Sequence, residues 1–361
     1  MKNIFGKAML LATALLFSIT GTSCSSDDSP VPEKEKTYDM SGFAKGADVS
    51  WLTEMEQDGV KFYNQNGKAE ECMWLLRDLG TNAIRLRVWV NPEGGWCGKD
   101  DVIAKASRAQ ALGYRLMIDF HYSDTWADPG NQKVPAAWQN YTFEQMKQAV
   151  ADHTKDVLSA LKERGVTNVE WVQVGNETRD GMLFSSDEAV TGKASKNAAN
   201  FAAYVNAGYE AVKEVYPQAK VVVHVDEGNN LGRYTWLFGE LKKKGGKWDV
   251  IGMSLYPEDN NWQDLTTNCL KNIKTLSEQY NCNVIVSEIG MWWGSDQAAP
   301  MMKKMVDGCK AITTCEGIFY WEPEVYNNWK PANYSTLGWD AYTKGAFDTS
   351  GKPTAVFDAY K

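Results

Sequence analysis

Histidine is scarce in this chain of 361 residues. The three that occur, His121, His153 and His224, are too few and too scattered for an obvious zinc centre. No cysteine pair has CxxC spacing, which removes the usual structural zinc site as well. Neither GxGxxG nor GxxxxGK[ST] is present, so the sequence advertises no phosphate-cradling loop. Positive charge is in deficit. Lys and Arg number 38 against 46 Asp and Glu, giving a net charge of −8. Such a surface repels nucleic acid and polyanionic substrates but does not oppose a neutral partner. The apolar run Ala8 to Ile19 is too short to span a bilayer. No Pro- or Gly-rich linker interrupts the chain after residue 40, so one large domain is the economical reading.

That short run belongs to a targeting segment. Lys2 and Lys7 precede it, and the small residues Gly21-Thr22-Ser23 follow. Cys24 comes next. The arrangement resembles a bacterial lipoprotein signal, in which cleavage leaves the cysteine first and lipidated. An ordinary secretory signal cut nearby is the alternative, because Ile19-Thr20-Gly21-Thr22-Ser23-Cys24 lacks a leucine three residues before the cysteine. Residues 24–40 are polar, carry Pro30 and Pro32, and read as a flexible tether. Asp27-Asp28 resembles the surface-export signals of glycan-degrading Gram-negative bacteria. The expected layout is a signal peptide over 1–23, a tether over 24–40 and a catalytic domain over 41–361. The expected location is the outer membrane, facing outward through a lipid on Cys24.

Six cysteines remain: Cys72, Cys97, Cys269, Cys282, Cys309 and Cys315. An even number in an exported protein points to disulfides. Cys269 with Cys282 and Cys309 with Cys315 are the expected bridges. Aromatics are plentiful, with 15 Trp and 16 Tyr. Flat amphipathic rings stack on sugar faces and also fill cores, and about half are expected to do only the latter.

After the tether, strand-like and helix-like segments alternate. Strands are predicted at Ala47–Trp51, Ala83–Trp89, Arg115–Phe120, Val169–Val174, Lys220–Val225, Val250–Leu255, Val284–Val286 and Gly317–Trp321. Helical spacing between them ends at Gly80, Gly113, Gly165 and Pro217. Eight strands with helical crossovers predict a parallel sheet closed into a (β/α)8 TIM barrel. An open doubly wound sheet is the structural alternative, but it would usually carry a Gly-rich loop.

Two glutamates close apolar runs: Glu177 after Val169–Val174, and Glu288 after Val284–Val286. Burial there raises a carboxyl pKa, unless a cation pairs with it. Two such groups converging on one cleft are the minimal equipment for glycosidic bond cleavage. Other polar residues fall at the same strand ends: Asp48, Arg85 and Arg87, His121, Asn176, His224, Tyr256 and Trp321. Each alone reads equally well as a structural residue, and the two glutamates could be salt-bridged to Arg85 and Arg87. The coincidence across strands favours an active-site face.

The run Arg85-Leu86-Arg87-Val88-Trp89-Val90-Asn91-Pro92 resembles the arabinogalactan endo-β-1,4-galactanases of glycoside hydrolase family 53. So does Asp119-Phe120-His121-Tyr122-Ser123-Asp124-Thr125-Trp126-Ala127-Asp128-Pro129-Gly130. Gln173-Val174-Gly175-Asn176-Glu177 is similar to that family's acid/base segment, and Ser287-Glu288 to its nucleophile segment. The resemblance runs from residue 43 to 361. It implies cleavage of β-1,4-galactan with retention, Glu177 as acid/base and Glu288 as nucleophile, their carboxyls about 5–5.5 Å apart. It implies sugar contacts from Asp48, Arg85, Arg87, His121, Asn176, His224, Tyr256 and Trp321, and no cofactor for the chemistry. A structural calcium ion is left open, with Asp296, Glu322, Glu324 and Asp340 as its candidate ligands. A mannanase or xylanase of the same clan, or a surface lipoprotein that binds glycan without cutting it, are the alternatives.

Overall fold

The computed structural model describes residues 36–361. The signal segment, Cys24 and the tether up to residue 35 lie outside the described residues. Tyr38–Lys361 forms one compact unit. Its eight main strands are β1 Ala44–Asp48, β2 Ala83–Val88, β3 Arg115–Phe120, β4 Val169–Val174, β5 Lys220–Val225, β6 Val250–Leu255, β7 Asn283–Ile289 and β8 Cys315–Trp321. All neighbours pair parallel, and β1 pairs with both β2 and β8, so the sheet closes into the expected barrel. Helices connect successive strands on the outside. The longest early crossover, Phe143–Glu163, starts at a capping box between Thr142 and Gln145. Its buried stripe Met146, Val150, Val157, Leu158 and Leu161 has helical spacing.

Side chains alternate across each strand, and this sorts the barrel interior into a dry floor and a polar mouth. Ala83, Met117, Trp171, Val222, Ile285 and Phe319 belong to one small buried apolar cluster. Gly46 makes room for Phe319, whose ring would lie 2.2 Å from any Cβ there. Two or four residues further on, the same inward faces carry Arg85 and Arg87, Asp119, Gln173, His224 and Ser254. The strand ends therefore deliver polar groups to one mouth.

On β7 simple alternation from Ile285 would turn Glu288 outward. Met253 pairs with Val286 but Ser254 pairs with Glu288, so Ser287 is an extra residue in the ladder. This bulge restores Glu288 to the inner face.

Three expectations need correction. The first strand runs over Ala44–Asp48 rather than Ala47–Trp51. A short helix, Leu52–Gln57, and a two-stranded ribbon of Phe62–Tyr63 with Ala69–Glu70 follow it. The six cysteines are free thiols. Proximity in sequence misleads here: Cys282 faces Trp248, whereas Cys269 lies near Cys315. Cys309 and Cys315 meet as hydrogen-bonded thiols, without a bridge. Among the described residues no helix is long and apolar enough to cross a membrane.

Candidate active site

Arg85 is the hub of the mouth. Its fully buried guanidinium contacts Asp48 at 2.6 Å, Asp119 at 2.8 Å and Glu288 at 2.9 Å. It also donates to Asn176 Oδ1 at 3.0 Å. Burial alone would lower its pKa, but the surrounding carboxylates win and raise it. Burial pushes Asp119 up, yet Arg85 and His121 hold it below its usual value. Burial also lowers the pKa of His121 and His224, keeping both rings neutral near pH 7.

Glu177 follows a tight turn. Gly175 has φ +82°, and a Cβ there would lie 2.7 Å from the Thr178 methyl. Glu177 itself sits at φ +43°, a conformation that side-chain-bearing residues rarely adopt. Backbone strain of this kind is held in place by its surroundings. Here the Glu177 N–H donates to His224 Nδ1 and the Thr178 N–H to the His224 carbonyl at 2.8 Å. The Glu177 carboxyl lines a cavity of about 620 Å³ with Asp128, Arg179, Asp226, Ser254 and Tyr256.

The two glutamates differ in company. Burial raises the Glu177 pKa well above the ordinary range, and the charge of Glu288 adds to it. Among the described residues no cation forms an ion pair with Glu177. Burial raises Glu288 too, but Arg85 and a hydrogen bond from the Tyr256 hydroxyl at 2.7 Å oppose that rise. The Ser254 hydroxyl lies 3.5 Å from Glu288 Oε2 and lines the same cavity as Glu177.

The other expected residues divide into two groups. Asp48, Arg85, Arg87 and His224 have no exposed surface, and His121 has almost none. They lie beneath the mouth and act on its carboxylates and rings, not on a sugar directly. Arg87 stands apart from both glutamates. It pairs with Glu322 at 3.0 Å and lies under the Trp126 ring at 4.2 Å. Tyr256 and Trp321 reach the cleft surface, while Asn176 is buried with its amide bonded to Ala127 and Arg85. Trp321 is held edge-on by Tyr342 at 4.6 Å and Trp51 at 5.1 Å.

Sequence reasoning missed three residues. Asp119 and Gln173 were present in the motifs but unassigned. Gln173 Nε2 donates to Asp119 Oδ1 at 2.5 Å. Ser254 carried no signal beyond its place two residues before Tyr256. The candidate calcium ligands do not assemble. Asp296 and Asp340 are exposed, while Glu322 and Glu324 are fully buried, Glu322 accepting from the Trp51 N–H. Among the described residues no group of three or more His, Cys, Asp or Glu could hold a metal ion.

Known proteins are similar to this chain. The sequence model of glycosyl hydrolase family 53 matches residues 44–300. An endo-β-1,4-galactanase of Bacillus subtilis is 31% identical over 341 residues, covering 84% of this chain and 75% of its own. An arabinogalactan endo-β-1,4-galactanase of Thermothelomyces thermophilus is 28% identical, covering 88% of this chain and 98% of its own. A solved fungal β-1,4-galactanase superposes with a TM-score of 0.77 at 26% identity, over 89% of this chain and 99% of the other. With the family model spanning most of the barrel and its two glutamates, the chain belongs to glycosyl hydrolase family 53.

Proposed function

We propose that this protein is an endo-β-1,4-galactanase that cleaves with retention, Glu288 serving as nucleophile and Glu177 as acid/base. The observation that carries the assignment is the unequal attendance of the two carboxyls. Arg85 and Tyr256 both favour an ionised Glu288, whereas Glu177 has burial and a neighbouring negative charge to keep its proton. Family membership and the galactanase names of the relatives supply the substrate class, a neutral polymer compatible with the net charge of −8.

In the first step a Glu288 oxygen bonds to the anomeric carbon as the bond to the leaving oxygen breaks. The Glu177 proton goes to that oxygen. In the second step water attacks the same carbon, its proton passes to Glu177, and the ester to Glu288 breaks. Both carboxyls return to their starting states, and no cofactor enters. Trp321 and Tyr256 offer apolar ring faces at the cleft for the sugar. Asn176, fixed by its amide donating to the Ala127 carbonyl at 2.7 Å, stands beside the acid/base.

Incubation with galactan, mannan and xylan tests the reading, with proton NMR following the first anomer released. Oligosaccharides of the β-anomer from galactan alone are expected. Cleavage of mannan or xylan in preference, or an α-anomer, overturns it. The reading extends to a lipid on Cys24 and a place on the outer membrane, supported by the Lys2–Cys24 segment. Cys24→Ala should release soluble enzyme, and a variant still acylated in the membrane fraction would refute the anchor.

A further inference from the structure

A hydroxyl between two carboxyls that exchange charge during a reaction need not be passive. Ser254 is on the inner face of β6, opposite Glu288 in the ladder, with almost no exposed surface. His224 Nε2 lies 2.7 Å from its Oγ and Glu288 Oε2 3.5 Å, and the residue lines one cavity with Glu177.

The His224 tautomer decides what Ser254 can do. Two donors aim at Nδ1: the Gln173 amide at 3.0 Å and the backbone N–H of Glu177 at 3.3 Å. Asn176 Oδ1 also lies 2.9 Å from Nδ1, but it already receives Arg85, and Gln173, with one amide hydrogen on Asp119, has its second for Nδ1. Two donors make Nδ1 the acceptor, so the ring proton is on Nε2 and points at Ser254. A hydroxyl has one proton and two lone pairs. The imidazole fills one lone pair and leaves the proton free for a carboxylate.

We propose that Ser254 is a positioning residue for the two-step reaction, its hydroxyl donating to whichever of Glu177 and Glu288 is ionised. This rests on the acid/base and nucleophile roles given above. In the resting enzyme Glu177 is protonated and donates to the second Ser254 lone pair, while Ser254 donates to the Glu288 carboxylate. Once Glu288 is esterified and Glu177 is ionised, the hydroxyl rotates and donates to Glu177. No proton leaves Ser254 in either state. The His224 N–H stays fixed throughout as the pivot. Charge moves between the carboxyls and the donor follows it, so neither ionised state is left with an unsatisfied oxygen on that side.

The surrounding charges remain in place when Ser254 changes. They are Asp48 on β1, Arg85 on β2, Asp119 on β3, Asp128 beyond it, Asp226 after β5 and Tyr256 after β6. Ser254→Ala removes the movable donor and leaves the His224 Nε2–H without its acceptor. In the free enzyme the donor serves Glu288, and in the glycosyl-enzyme it serves Glu177, so its loss disfavours a different ionised carboxyl in each. The acid limb of kcat/KM on galactan, and the acid limb of kcat on an activated aryl galactoside whose first step is fast, are each expected to move to higher pH, by roughly half a unit to one unit. Native melting temperature and circular dichroism establish the fold. Should Ser254→Ala fail to fold, Ser254→Cys keeps the shape with a poor donor and is expected to displace these limbs in the same direction. Profiles that fall in height with both of these acid limbs unmoved overturn the proposal and leave Ser254 a packing residue. A wild-type protein that does not cut galactan, or Glu177 and Glu288 variants that still do, would instead overturn the underlying reading.

Discussion

Tyr256→Phe isolates one support of the nucleophile. The Tyr256 hydroxyl donates to Glu288 Oε2 at 2.7 Å, the length of a strong bond from a neutral donor to a carboxylate. Phenylalanine keeps the ring, its contact with Trp321 and its place in the mouth. A hydrogen bond to a charged group contributes about 1.5–3 kcal/mol. At about 1.4 kcal/mol per pKa unit, its loss should raise the Glu288 pKa by roughly one to two units. The direction adds to the rise that burial already imposes. Glu288 must be ionised to attack, so the acid limb of kcat/KM should move up by that amount. Below the wild-type limb, activity should fall by about 10- to 100-fold, and less near the optimum. The assay is reducing-end release from galactan across pH, with melting temperature as a control. An acid limb that stays in place would refute the claim that this hydroxyl keeps Glu288 ionised.

The two glutamates should fail differently: azide added to Glu177→Ala should give a β-galactosyl azide, and azide added to Glu288→Ala the α-azide. Product stereochemistry by NMR decides it, and swapped anomers would reverse the roles. The six cysteines of the barrel should titrate as free thiols after denaturation without reductant, and a mass two units lower per bridge would contradict the structure. Burial and Asp48 push the Glu322 carboxyl up to about 7, and burial with the charge of Glu322 raises Glu324 well above its ordinary value. Folding thus favours the protonated pair: its contribution is full below the ordinary carboxyl pKa and is lost as pH rises toward and through 7. The melting temperature should fall over that window, and Glu324→Gln, whose amide donates at every pH, should flatten the fall. An unchanged slope would show that the pair does not share a proton.

Much of the barrel was legible because buried parallel strands are nearly continuous apolar runs. Arg115–Phe120, Val169–Val174, Lys220–Val225 and Val250–Leu255 coincide with their predicted bounds. The first strand slipped because Ala44-Lys45-Gly46-Ala47-Asp48 has little β-propensity, while Val49 and Trp51 just beyond it have more. The helix Leu52–Gln57 has no side-chain cap to announce it. Arg85 and Arg87 were correctly put on one face, but spacing alone does not show that only Arg85 reaches Glu288. The bulge at Ser287 is a register event between strands and leaves no trace in one strand's sequence. Ser254 was invisible for a related reason: a serine in a strand becomes informative only once its neighbours across the barrel are known.

On the proposed roles, those cross-barrel neighbours also account for a proton on Glu177. Asp48, Asp119 and Glu288 all lie against one guanidinium, that of Arg85. The two histidines nearby add no positive charge, because burial holds them neutral. Both terminal nitrogens of Arg85 are thus taken by carboxylates other than Glu177. A further anion in the same mouth would stand against Glu288 and Asp226 with no cation bonded to it. Glu177 escapes that cost by keeping its proton, which is the state an acid catalyst needs. The division of labour therefore follows from where three other strands place their acids, more than from any contact made by Glu177 itself. A second cation at Glu177 would undo the division. It would lower that pKa, shift the alkaline limb of activity downward and remove the proton the leaving oxygen requires.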